Sequence, residues 1–94
     1  MNRRRTSRSR WERAVQQLAE SLGLWVLITD AERIWQGDKV LIYSKTTGTE
    51  LMTWFSGTCR WYAGASKGDG SWRQALHRAA ALNGIKNRAG ATGL

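Results

Sequence analysis

Between Lys39 and Ala63 the chain reads KVLIYSKTTGTELMTWFSGTCRWYA, in which apolar-rich runs are separated by two short polar breaks. Val, Ile, Tyr, Thr, Trp and Phe fill it, and these residues suit a pleated surface. Thr47-Gly48 and Ser56-Gly57 mark the breaks, and glycine supplies the positive φ of tight hairpin turns. The stretch therefore predicts a three-stranded meander with two-residue turns. Counting outward from the first turn sets Lys45 against Glu50, Tyr43 against Met52, Leu41 against Trp54 and Val40 against Phe55. The second turn sets Trp54 against Cys59 and Met52 against Trp61. One side of the sheet then carries Leu41, Tyr43, Met52, Trp54, Cys59, Trp61 and Ala63. The other carries Val40, Ile42, Ser44, Leu51, Thr53, Phe55, Thr58, Arg60 and Tyr62. A slip of one residue would exchange the faces of a strand.

On either side of the meander the period changes to that of a helix. Ser9-x-x-Glu12 is a capping box, followed by Trp11, Val15, Leu18 and Leu22 on one stripe and by Gly23 as a stop. Ser71-x-x-Gln74 is a second box, followed by Trp72, Ala75, Leu76, Ala79 and Leu82. Gly84 stops this helix, with Ile85 placed for the hydrophobic contact of a Schellman cap. LWVLIT, from Leu24 to Thr29, predicts a strand. Asp30 to Asp38 fits either a small strand around Arg33-Ile34-Trp35 or one helical turn opened by Thr29 or Asp30, and the strand is favoured. Gly64 to Gly70 predicts a glycine-rich loop. The expected fold is α+β: an antiparallel sheet of three to five strands with helices over 9–22 and 71–83 packed on one face.

Ninety-four residues suffice for one domain, here 9–85, between an arm of residues 1–8 that is expected to be disordered and a flexible tail of residues 86–94. Six Trp, two Tyr and one Phe let a small core bury much area per residue. The single cysteine, Cys59, excludes an intramolecular disulfide and fits a reducing compartment. No run approaches the roughly 18 apolar residues of a membrane span, and no apolar signal core opens the chain. A soluble protein of the cytoplasm or nucleus is expected, neither secreted nor in a membrane.

Charge changes the picture most. The chain carries net +8 with a pI near 10.9, which favours a polyanionic partner. Six arginines within residues 1–13 stand against Glu12 alone, so the arm is far more basic than the body. Arg3, Arg4, Arg5, Arg8 and Arg10 suit bidentate contact with phosphates. An import-type patch, an organelle presequence or a solubilising tail would have the same composition. Lys67, Arg73, His77 and Arg78 surround the glycine-rich loop and the start of the second helix, where backbone N–H groups already favour anions. The P-loop spacing is missing.

Enzyme chemistry finds little support. His77 is the only histidine and Cys59 has no cysteine partner, so no zinc set, cofactor motif or catalytic constellation is legible. Trp11, Trp61 and Trp72 sit where a core needs them. Phe55, Arg60 and Tyr62 share the second sheet side. If the helices cover only the first side, these residues with Val40 and Ile42 form an exposed patch, suited to base stacking or a protein interface. If LWVLIT folds over that side, the patch is core instead.

Gly64-Ala65-Ser66-Lys67-Gly68, Ala75 and Ala79-Ala80-Ala81-Leu82, behind a helix and a meander, resemble the double-stranded-RNA-binding domain. LAESLGLWV at the end of the first helix is loosely similar. The resemblance implies shape-reading of an RNA duplex through Lys67, Arg73 and His77. The final helix departs from that family's pattern, opening with Ser71-Trp72-Arg73 in place of adjacent lysines. The sequence thus points to a non-enzymatic nucleic-acid-binding protein, of DNA or RNA, working mainly through phosphates. The alternative is a small interaction module or regulator, viral or mobile-element in style, that meets an acidic protein partner through Phe55 and Tyr62. The oligomeric expectation is a monomer, or a dimer formed through an open edge strand.

Overall fold

The computed structural model describes the backbone of residues 2–92 and the side chains of residues 10–84. Helix α1 spans Asn2–Ser21, β1 Leu24–Asp30, a 3-10 turn Ile34–Gln36, β2 Asp38–Ser44, β3 Glu50–Phe55, β4 Arg60–Ala63, β5 Ser66–Asp69 and α2 Trp72–Thr92. The strands form one open antiparallel sheet of five in chain order, β1-β2-β3-β4-β5. The architecture is the α+β one that the two periodicities predict.

Each helix buries its apolar stripe on the same sheet face. Val15 and Ala19 from α1 and Ala75, Leu76 and Ala79 from α2 join Leu24, Val26, Val40, Ile42, Leu51, Met52 and Trp54 in the core. Trp11, Leu18, Leu22, Trp61, Trp72 and Leu82 pack around them. The box at Ser71 forms in full: the Ser71 N–H donates to Gln74 Oε1 at 2.8 Å, and the Gln74 N–H donates to Ser71 Oγ at 3.2 Å. Gly23 ends α1 at φ +75°.

Both helices are longer than their caps suggest. α1 starts at Asn2 and takes in the arginine-rich segment, rather than starting at Ser9. Residues 2–8 contain neither glycine nor proline, and arginine is a good helix former, so nothing there forces a start at Ser9. α2 runs through Gly84 to Thr92, and Gly84 is not among the glycines at positive φ. The expected Schellman stop is therefore not formed, and the tail expected from residue 86 continues the helix.

The hairpins correct the predicted registers. The β2–β3 connection is a five-residue loop, 45–49, held by the Gly48 and Ser44 N–H groups donating to the Ser44 and Thr49 carbonyls at 2.8 and 2.9 Å. A bulge beyond Ile42 then leaves Tyr43 beside Glu50. Val40 opposes Trp54, Leu41 opposes Thr53 and Ile42 opposes Met52. This is a one-residue slip from the expected pairing, and it exchanges the faces of β2: Val40, Ile42 and Ser44 point to the helices, and Leu41 and Tyr43 point away. Lys45 lies near Glu20 at 3.4 Å instead of facing Glu50. The β3–β4 connection is a four-residue turn, 56–59, in which Cys59 is exposed at φ 56°. Trp54 consequently opposes Trp61, not Cys59. Here the slip is even, so Phe55, Arg60 and Tyr62 keep their expected face.

Two further segments differ from expectation. The strand favoured around Arg33-Ile34-Trp35 is a 3-10 turn, closer to the helical alternative but opened at Arg33 without a side-chain cap rather than at Thr29 or Asp30. It is docked on the β3–β4 turn by the Gly57 N–H donating to the Gln36 carbonyl at 2.7 Å. A Cβ at Gly57 would collide with the Trp35 carbonyl oxygen, so only glycine permits this approach. The glycine-rich loop is mostly strand. Gly64, at φ +61°, turns the chain with Ala65, and Ser66–Asp69 then pairs with β4.

Candidate functional site

The helices occupy one face of the sheet, and among the described residues nothing covers the other. Period-two alternation sends Trp25, Leu27 and Thr29 from β1 to this open face. Register adds Lys39, Leu41 and Tyr43 from β2, Thr53 and Phe55 from β3, Arg60 and Tyr62 from β4, and Lys67 and Asp69 from β5. LWVLIT therefore widens the face as an edge strand and does not fold over it.

Two aromatic pairs stand on the face. Trp25 and Tyr43 stack with centroids 4.4 Å apart and planes 12° from parallel. Phe55 and Tyr62 meet edge to face at 5.8 Å and 76°. The pairs occupy β1–β2 and β3–β4, and Tyr43 lies further along its strand than Lys39 and Leu41, which share the rows of Phe55 and Tyr62, so the two pairs stand diagonally across the face. Tyr62 is 40% exposed and Trp25 44%. Water contact at this level costs free energy that a covering partner would recover.

Cations are interleaved with the rings. Lys67 is the cross-strand partner of Tyr62, Arg60 that of Phe55, and Lys39 flanks Phe55 on its other side. Arg60 Nε lies 3.4 Å from Asp69 Oδ1, an exposed pair. Arg60, Lys67, Gly68 and Asp69 line an open depression of about 270 Å³ at the β4–β5 hairpin.

Of the residues singled out from sequence, Phe55, Arg60, Tyr62 and Lys67 come together on this face. Arg73, His77 and Arg78 do not join them. They are exposed on α2, in the layer behind the sheet. The Arg73 guanidinium lies over the Trp72 ring at 4.3 Å, and that of Arg78 is 5.6 Å from Trp61. Lys67 is thus parted from the helix start with which it was expected to form a phosphate cradle. Arg10 is exposed on α1. The side chains of Arg3, Arg4, Arg5 and Arg8 lie outside the described residues.

Sequence reasoning missed Trp25, Leu27, Leu41 and Tyr43 on the face. The first two were visible as the alternate positions of LWVLIT, and the last two were lost with the β2 register. It also missed Ile34, 99% exposed on the docked 3-10 turn beside an exposed Trp35.

Among the described residues no group of three or more His, Cys, Asp or Glu is placed to hold a metal ion. Nor is any described helix long and apolar enough to cross a membrane. No family model, curated protein or solved structure shows significant similarity to the chain. The order helix, meander, helix agrees with the double-stranded-RNA-binding resemblance, but an order of elements alone identifies no family.

Proposed function

We propose that this chain is a non-enzymatic nucleic-acid-binding protein whose contact surface is the open sheet face. One observation carries the reading: Tyr62 and Phe55 stand beside Lys67 and Arg60 as cross-strand partners on an uncovered face. Aromatic faces accept bases, and neighbouring cations track phosphates. The net charge of +8 supports the same partner class. Arg3, Arg4, Arg5, Arg8 and Arg10 would add sequence-independent attraction at one end, and Arg73, His77 and Arg78 a second basic surface on α2.

The test is a fluorescence titration with single strands and duplexes of DNA and RNA at about 50 and 200 mM salt, the range over which phosphate contacts show. Binding that weakens steeply between the two salts supports the proposal. Absence of binding to every nucleic acid at the lower salt overturns it.

A second reading, a protein-interaction module, is favoured by Ile34 and Trp35. They are exposed on a turn that backbone hydrogen bonds from Gly57 and Ala31 tie to its neighbours. Asp30 and Glu32 outnumber Arg33 beside them, so this turn, unlike the neighbouring Lys39–Phe55–Arg60 row, carries no excess of positive charge to draw a phosphate chain.

A further inference from the structure

We infer that the β4–β5 hairpin holds one nucleotide of a single strand, with the phosphate between Arg60 and Lys67 and the base on Tyr62. This rests on the nucleic-acid reading above and narrows it to an unpaired strand. The geometry begins with the Tyr62–Lys67 cross-strand pair. Directly opposed residues hold their Cβ atoms about 4.5–5.5 Å apart, so a ring and an ammonium rise side by side from the sheet. The next pair on that face is Arg60 with Asp69, and the depression, lined by Arg60, Lys67, Gly68 and Asp69, lies beside the Tyr62 ring.

Arg60 is oriented for the task. Asp69 engages its Nε side at 3.4 Å. A guanidinium has five N–H donors, so the terminal nitrogens are available to fork onto phosphate oxygens. Asp69 lines the same depression as an anion, and the two cations outweigh it.

Tyr62 supplies the platform. Phe55 meets its ring edge to face at 5.8 Å, and Tyr62 remains 40% exposed. A base within a duplex already stacks on its neighbours and presents only its edges in the grooves. The ring can therefore take up a base only from a strand whose bases are unstacked, and DNA and RNA both offer one.

The experiment uses the full chain and three labelled probes at about 50 mM salt, chosen within the range where phosphate contacts are strong: a thymidine oligonucleotide, an abasic oligonucleotide of equal length, and a hairpin duplex. The thymidine strand is expected to bind more tightly than either of the others. Tyr62→Ala should weaken thymidine binding by about 5- to 150-fold, the range for loss of one stacked base, and shrink the preference over the abasic strand. Tyr62→Phe, which keeps the ring, should restore both. Lys67→Ala should weaken thymidine and abasic strands alike and lower the salt slope by about 0.7. Equal binding of thymidine and abasic strands, or tighter binding of the duplex, overturns this inference and leaves the broader function standing. Absence of binding to all three overturns both.

Discussion

The Trp54 indole Nε1 donates a hydrogen bond to the Gly70 carbonyl oxygen at 2.8 Å. Trp54 is a core residue of β3, and Gly70 immediately precedes the residue that caps α2. This bond fastens the start of the second helix to the centre of the sheet. Replacing Trp54 with Phe keeps most of the ring and removes the donor. Chemical denaturation should show a loss of about 1–3 kcal/mol, the usual result of leaving a shielded partner unsatisfied. Trp25→Phe, on the open face, should stay within about 0.5 kcal/mol.

The two Ser71–Gln74 bonds make the N-terminus of α2 a point of measurable stability. Ser71→Ala removes the side-chain acceptor of the box and should cost about 1 kcal/mol. Ser71→Gly should cost only a few tenths of a kcal/mol, because glycine tolerates the cap conformation. The order of midpoints in thermal unfolding checks both.

Two glycines should respond in opposite directions to the same substitution. At Gly84 an added Cβ meets nothing within 4 Å, and the backbone is helical. Gly84→Ala should therefore stabilise the protein by about 0.5–1 kcal/mol. At Gly57 the same Cβ meets the backbone of Trp35 and Gln36. Gly57→Ala should destabilise by about 1–3 kcal/mol by forcing the docked turn away. Urea midpoints of the two variants decide the signs.

Deleting residues 2–8 removes Arg3, Arg4, Arg5 and Arg8. If all four reach phosphates, the log–log salt slope for a single strand should fall by about 3, at roughly 0.7 per contact. Titration of the truncated chain against the same strand at several salt concentrations measures the change. The thymidine preference set by Tyr62 should persist.

Most of the fold is legible in local patterns, and the exceptions have identifiable causes. The apolar stripes locate both helices and the Ser71 box fixes the start of α2, because side-chain spacing on a helix depends only on near neighbours, whereas the Ser9 box lies inside α1 and marks no start. The strands are placed by runs of β-branched and aromatic residues between glycine turns, but their pairing depends on turn geometry. Gly48 does take positive φ, at +73°, yet it lies within a five-residue loop and not at the centre of a two-residue turn. That difference, with the bulge past Ile42, moved β2 by one residue and hid Leu41 and Tyr43. The glycine-rich loop misleads for a related reason: Gly64 serves the turn, whereas Gly68 lies in a strand against the Trp61 indole, where a Cβ would clash. Phe55, Arg60 and Tyr62 fall on one side from the meander alone, whereas Lys67 belongs in sequence to the glycine-rich loop. Lys67 joins them only through the β4–β5 pairing, which depends on reading Gly64-Ala65 as a turn.

The chain-order sheet has a consequence for how the protein acquires its structure. Every strand pairs with its sequence neighbour, so each hairpin can close without waiting for a distant segment. Loop closure over such short spans carries a small entropic cost. Contacts of this kind give low contact order and rapid folding for a sheet protein. The long-range step is the meeting of α1 with α2 over the finished sheet, joining opposite ends of the chain. During synthesis the meander and α1 can therefore assemble before α2 emerges, leaving Trp54 without its partner at Gly70 until the last helix starts.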